Sequence, residues 1–430
     1  MKLNKLLLAL AASGIATSAF ATNGMFAHGN GMTAKGMGGA ATAMTKDAFG
    51  GANNPATMVW VGNRYDVGAD AFSPVRDAGR VGSTNMNIGT NSSDNELFLV
   101  PEFGYNKMLD AKTSLGVTVY GNGGMNTDYA ARMNSASCPG FGTPATNTNM
   151  LCGTTALGVD LVQLIIAPTV SYKVSDTASV GVSPLFGYQQ FSASGLQGFA
   201  AFSSDSTNLT DRGADSATGF GLRVGGYARL TDTVSVGGAY ATKVDMSKFD
   251  KYKGLFAEQG DLDLPANWNI GFSFAPNDKI TVGLDFQHIA YSDVKSIANS
   301  SKLGGTTTSN TLGIDNGRGF GWSDMDIVKL GVEYKYSADI TLRAGYSHAD
   351  SPIQARDVTF NILAPAVIED HFTLGMTYRM DKDSDLTVSY AHAAENSLTG
   401  ASLYTDFGIA STETIKMHQN SIGIAYSKKF

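Results

Sequence analysis

Long apolar runs are absent from this chain beyond its first residues. No stretch of about 18 or more apolar residues follows position 21, so no transmembrane helix is predicted. Proline is scarce, with 11 residues in 430, which argues against a disordered low-complexity chain. Positive charge is not in excess: the formal net charge is −7, and no basic stripe is present. Nucleic acid is therefore excluded as a partner. The histidines His28, His288, His348, His371, His392 and His418 are scattered without metal-ligand spacing. There is no G-x-S-x-G elbow, no Walker loop and no dinucleotide fingerprint. We therefore expect no enzyme activity, no metal and no cofactor.

Cysteine is nearly absent too. Cys138 and Cys152 lie in one Pro/Asn/Thr/Gly-rich segment. A disulfide between them would staple a surface loop, worth roughly 3 kcal/mol in the chain-entropy model. Export makes such a bond permissible, and the first residues predict export. Lys2 and Lys5 precede an apolar run, and Ala19-Phe20-Ala21 forms an A-x-A cleavage site. Residues 1–21 read as a signal peptide, with the mature chain beginning at Thr22.

Glycine is abundant, at 50 residues, and it mixes with Tyr, Phe, Val and Thr in alternation. From Tyr65 onward apolar residues recur with period two. Examples are Val234/Val236/Gly238/Tyr240, Ile280/Val282/Leu284/Phe286, Ile340/Leu342/Ala344/Tyr346, Phe372/Leu374/Met376/Tyr378 and Leu386/Val388/Tyr390. The intervening positions are small, polar or charged. Strands with one apolar and one polar face fit a lipid-facing exterior and a wetter lumen.

Candidate strands fall near 63–75, 95–107, 112–121, 158–173, 178–190, 217–230, 233–243, 261–275, 279–291, 322–336, 339–349, 368–380, 385–395 and 416–430. Short and long connections alternate between them. That is the pattern of an outer-membrane barrel, with periplasmic turns on one rim and extracellular loops on the other. The chain also ends on an aromatic, Phe430, closing the alternation Ile422/Ile424/Tyr426. The fold class is therefore all-β: a transmembrane antiparallel β-barrel of about 14 strands over 63–430, in the bacterial outer membrane.

Residues 22–62 break the pattern. They are rich in Gly, Ala and Met and end in Asn53-Asn54-Pro55-Ala56. Both barrel ends lie on the short-turn rim, so such a segment can fold into the lumen as a hatch. A short helix is predicted over 36–49, stopped by Gly50-Gly51.

Several motifs carry a family resemblance. They are Asn54-Pro55-Ala56; Gly116-Val117-Thr118-Val119-Tyr120-Gly121-Asn122-Gly123-Gly124 with Thr127-Asp128-Tyr129; Leu264-Pro265-Ala266-Asn267-Trp268 with Gly271; and Leu342-Arg343-Ala344-Gly345-Tyr346 with Asp350-Ser351-Pro352-Ile353. In that order they resemble the outer-membrane long-chain fatty acid transporter family, the FadL-type channels for hydrophobic compounds. The resemblance implies a monomeric, hatch-plugged barrel in outer-membrane lipid. It also implies passive uptake of hydrophobic molecules, with lateral exit through a kink in the third strand.

The residues give that mechanism candidate parts. Gly121, Gly123 and Gly124 permit φ > 0 and a bulge, so they are the candidate kink. Asn54, Pro55 and Ala56 are the candidate gate, a rigid hatch element near the kink. Phe249, Tyr252, Leu255 and Phe256 are candidates for ligand capture. Positions 249, 252 and 256 share a helical face beside Lys248, Lys251 and Lys253, and the segment could equally pack on the aromatic loop 191–216. Arg343, Arg223 and Lys329 are candidate carboxylate contacts in the lumen, or partners of acids such as Asp285 and Glu333. The expected cargo is a long-chain fatty acid. The alternatives are aromatic or aliphatic hydrocarbons on the same fold, a general porin, which usually has about sixteen strands, or an outer-membrane lipase.

Overall fold

Period-two patterning becomes one closed antiparallel sheet. The computed structural model describes residues 23–82, 89–130, 148–302 and 311–430; the predicted signal peptide lies outside them. Fourteen long strands form the wall: β1 Arg64–Gly82, β2 Phe98–Met108, β3 Thr113–Tyr129, β4 Leu157–Lys173, β5 Ala178–Ser194, β6 Asp215–Arg229, β7 Val234–Ala241, β8 Asn267–Phe274, β9 Ile280–Ile289, β10 Met325–Lys335, β11 Ile340–Ala349, β12 Asp370–Arg379, β13 Ser384–Ala401 and β14 Ser411–Lys429. Each pairs with its sequence neighbours, and β1 pairs with β14 from Arg64↔Lys429 to Gly82↔Ser411, closing the cylinder. Two short segments, Gly89–Ser92 and Asp245–Met246, add to β1 and β6.

The two faces invert the pattern of a water-soluble protein. Exposed large apolar side chains form an outer band, including Phe272, Phe286, Leu330, Leu374 and Ile424. Buried positions in the lower lumen are polar or charged: Asp66, Asp70, Glu102, Asp285, Lys329 and Glu333. At the short-turn rim Phe430 stacks on Tyr105 at 5.9 Å and lies 6.5 Å from Tyr65. This is an aromatic girdle of the kind found where a barrel meets the interface.

Several strands run further than their hydrophobic alternation predicts. β1, β3, β5, β13 and β14 extend several residues past the expected ends towards the long loops. There the exterior carries pairs such as Thr399/Thr414 at 2.7 Å and Lys416/Glu395 at 2.9 Å. Water replaces lipid at that height, so the apolar signal stops while backbone pairing continues.

The hatch fills the lower lumen. Its one short helix, α1 Met32–Lys35, is followed by turns, and a 3-10 segment spans Pro55–Trp60. The helix predicted over 36–49 does not form. Gly38 and Gly39 both adopt positive φ, at 65° and 85°, and the backbone binds the wall instead of itself. Gly38 N–H donates to Thr373 Oγ1 at 2.8 Å, and the N–H groups of Ala41 and Thr42 donate to Asp285 at 2.8 and 2.9 Å. Ion pairs complete the attachment: Lys35 to Asp70 at 2.9 Å, and Lys46 to Glu333 at 2.7 Å.

Close approach of hatch and wall requires wall glycines. A Cβ added at Gly345 would lie 2.1 Å from Gly38 N. Gly345→Val should therefore unseat the hatch while leaving the barrel folded. Ion conductance in planar bilayers is expected to rise well above wild type; an unchanged conductance would show that this contact does not hold the stopper.

Candidate functional site: an interrupted ladder beside the lumen

A closed barrel in hydrocarbon needs every strand edge paired, and one edge here is not. β3 pairs with β2 only from Met108↔Ser114 to Phe103↔Val119. Above that point β3 continues to Tyr129 with β4 alone on its other side. The register with β4 slips between Gly121 and Gly123, which makes Asn122 a bulge. The ladder resumes at the top, where Asp94 N–H donates to Asp128 O at 2.8 Å. The result is a window in the wall between β2 and β3.

Residues 23–27 of the hatch stitch its edge. Ala27 N–H donates to Asn122 O at 3.0 Å, and Gly124 N–H to Met25 O at 3.2 Å. Tyr291 holds this segment from behind: its hydroxyl donates to Asn23 O at 2.6 Å and accepts from Met25 N–H at 2.9 Å. Its ring meets Phe26 edge-on at 6.1 Å.

Two apolar recesses lead to the window from the loop side. The inner one is lined by Phe72, Pro74, Arg76, Met125, Asn126, Trp322, Ala364, Pro365, Ala366 and Met417. It abuts the unpaired part of β3 through Met125 and Asn126. The outer one lies under the loops between Val159, Phe191, Leu255, Phe256, Ser296, Leu312, Arg318, Gly319, Phe320, Phe360 and Leu363. Each recess contains a buried arginine. Burial lowers the pKa of Arg318 to about 10, so the group stays charged at neutral pH.

A family model described as outer membrane protein transport protein (OMPP1/FadL/TodX) matches residues 8–430. The chain belongs to this family. FadL/TodX-type proteins are outer-membrane channels for hydrophobic compounds, and the fourteen-strand barrel places this chain among them. Solved structures agree on the fold. The Pseudomonas putida toluene transporter TodX is 19% identical with a TM-score of 0.68, over 94% of this chain and 99% of that one. A Pseudomonas aeruginosa FadL homologue is 14% identical with a TM-score of 0.68 over the same shares. The Ralstonia pickettii toluene transporter TbuX is 18% identical with a TM-score of 0.61, again over 94% and 99%. No curated protein matches by sequence.

Within this FadL/TodX-type frame the sequence-predicted residues fall as follows. Gly121, Gly123 and Gly124 do flank the bulge, but none has positive φ. Glycine is required at 123 for a different reason: a Cβ there would lie 1.4 Å from Met25 O. Asn54, Pro55 and Ala56 sit away from the bulge. Asn54 Nδ2 donates to Gly226 O at 2.9 Å, and Ala56 O accepts from Ser171 and Ser179, so this element docks on β4, β5 and β6. The contact expected of it near the kink is made instead by Met25 and Ala27.

The capture residues are gathered, but not as an open groove. Phe249 and Tyr252 are fully buried, and Phe191 lies 5.7, 4.9 and 4.8 Å from the rings of Phe249, Tyr252 and Phe256. Of the four, Leu255 and Phe256 line the outer recess. The neighbouring lysines are engaged elsewhere: Lys251 donates to Ala214 O at 2.6 Å, and Lys253 pairs with Asp205 at 3.2 Å.

Of the three candidate lumen cations, Arg343 alone has an ion-pair partner among the described residues; the other two meet neutral acceptors, and Arg223 Nε has no hydrogen-bond partner. Arg343 pairs with Glu333 at 2.8 Å, and Lys329 donates to His28 O at 3.0 Å. Arg223 reaches Gly51 O at 3.3 Å and Asn267 at 3.4 Å. Sequence reasoning passed over Arg76 and Arg318, which line the two recesses, because nothing in the local pattern marks an arginine that will be buried without a carboxylate in ion-pair contact. Cys152 is buried and is not a free thiol; Cys138, its expected partner, lies outside the described residues.

Gly123→Ala should push residues 23–27 off β3. Amide exchange at Ala27 and Gly124 is expected to speed up sharply while exchange in β9 to β12 stays as in wild type. Retained protection at both amides would show that Met25 does not depend on the missing Cβ.

Proposed function

We propose that this protein takes up long-chain fatty acids by passive diffusion, with lateral exit through the window between β2 and β3. One observation carries this reading: the wall is interrupted where an apolar recess meets it. A molecule held among Phe72, Met125, Trp322 and Met417 adjoins the unpaired part of β3. It could pass from there into lipid without crossing the hatch-filled lower lumen. The hatch and its ion pairs argue against a water-filled porin bore.

The proposed route begins under the loops. Leu255 and Phe256 line the outer recess with Phe191 and Phe360. Burial of an alkyl chain there would supply about 0.8 kcal/mol per methylene. The two recesses adjoin: Phe320 of the outer lies 6.0 Å from Trp322 of the inner, and Leu363 precedes Ala364. Cargo would then move between apolar surfaces of similar affinity, and the concentration gradient supplies the direction.

Uptake of an aromatic hydrocarbon is the second reading. The solved toluene transporters share this fold, and the recesses are rich in aromatic side chains. Competition between unlabelled toluene and labelled oleate during uptake by cells carrying the protein would rank the two.

Lateral exit has its own test. Deleting Asn122 removes the bulge while leaving every β3–β4 partner as it is. Oleate uptake by cells carrying the variant should fall several-fold, with oleate binding by the purified protein retained. Full uptake through a regular β3 would count against a wall exit.

A further inference from the structure

The outer recess is roofed over. Phe191, Leu255, Phe256, Leu312, Phe320 and Phe360, which line it, are each between 2% and 8% exposed. An alkyl chain arriving from outside cannot reach these surfaces until part of the roof moves. Most of the roof is tied down by buried packing: Phe191 against Phe249, Tyr252 and Phe256, and Phe199 stacked on Phe360 at 5.1 Å.

One turn of the roof is held differently. Glu258 and Gln259 have φ of 56° and 57°, and Gly260 follows at 98°. Together they make a single left-handed helical turn, with Gly260 N–H donating to Phe256 O and Asp261 N–H to Ala257 O, both at 3.2 Å. Residues other than glycine enter this region singly and at a cost, because Cβ crowds the following carbonyl. Two in succession persist only where the surroundings over-determine them, and such strain gathers at ligand clamps and switches.

The restraining contacts form a clasp. The N–H groups of Glu258 and Gln259 donate to Ile314 O and Gly313 O at 3.1 and 3.0 Å. Gln259 Nε2 donates to Asp315 Oδ1 at 2.9 Å, and Glu258 Oε1 pairs with Lys295 at 2.9 Å. The clasp joins two segments that line the recess. Leu255 and Phe256 lie just before the turn, and Leu312, Arg318, Gly319 and Phe320 belong to the segment it grips. Gln259 is exposed and Glu258 half-buried. Opening the clasp therefore gives up hydrogen bonds that water can replace, sacrifices little apolar burial, and releases the backbone strain.

We propose that the turn at Glu258, Gln259 and Gly260 is a strained latch on the mouth of the outer recess, whose release lets the two segments part and admits apolar cargo. This rests on the uptake reading above and adds the step by which the first recess fills. The clasp keeps Phe256 and Phe320 out of water when no cargo is present. The strain keeps the closed state from being too stable to exchange.

Two variants push the latch in opposite directions. Glu258→Pro removes one clasp N–H and forbids positive φ, so it should open the mouth. Gln259→Cys combined with Asp315→Cys, bridged by a short bismaleimide, should hold it shut. Stopped-flow mixing of the full-length protein in detergent with a fluorescent long-chain fatty acid gives the association rate. The proline variant should associate several-fold faster than wild type, and the bridged protein several-fold slower than the same protein before bridging. An unchanged rate on bridging would overturn the latch, and so would a proline variant no faster than wild type. Amide exchange reads the latch without cargo: the Gln259 amide should exchange much faster than that of Tyr252 in wild type. Equal protection at the two would also overturn the proposal. Failure of wild type to bind the fatty acid, with fast exchange at Gln259, would instead sink the uptake reading and leave the latch standing.

Discussion

The need to satisfy every backbone N–H and C=O in hydrocarbon governs this protein. It forces the sheet to close through β1 and β14. It also sets the terms on which the wall can be interrupted. Where β3 departs from β2, Ala27 and Met25 of the hatch supply part of the missing ladder, and Asp94 supplies more at the top. Hatch and window are therefore one feature. Residues 23–27 act as a fragment of strand borrowed from another part of the chain, and the glycine at 123 exists to let them in.

The hatch is held unequally. Around α1 and residues 41–48 it is bound by charge-assisted hydrogen bonds and ion pairs to Asp70, Asp285 and Glu333. Such bonds are worth about 1.5–3 kcal/mol each when buried. Residues 23–27 are held by neutral hydrogen bonds to β3 and Tyr291, each worth about 1 kcal/mol. The bulk of the hatch is thus a fixture of the lumen, and the weakest attachment lies at the window.

The lumen divides into two chemical zones. Its lower part is polar and crowded with paired charge, as in Glu333 with Lys46 and Arg343. Its upper part is apolar, with Phe191, Phe249, Tyr252 and Phe256 packed under the loops. Apolar cargo would be favoured only in the upper zone, and the window opens from that zone. The interruption in β3 lies above the Phe103↔Val119 pair, at the level where the lumen becomes apolar.

Period-two alternation and the spacing of turns determined the barrel, its strand number and its inside-out polarity, because lipid and lumen act on each residue separately and leave a local imprint. The glycines of β3 marked the place of an irregularity but not its cause: none has positive φ, and Gly123 makes room for Met25. What the tertiary structure alone decided are relations between distant residues. It set the seating of Met25 against Gly123, the docking of Asn54 on β6, the pairing of Arg343 with Glu333, and the burial of Arg76 and Arg318 with part of each guanidinium unbonded. Whether a buried charge has a partner depends on what the closed wall brings opposite it, and no window of neighbouring residues holds that information.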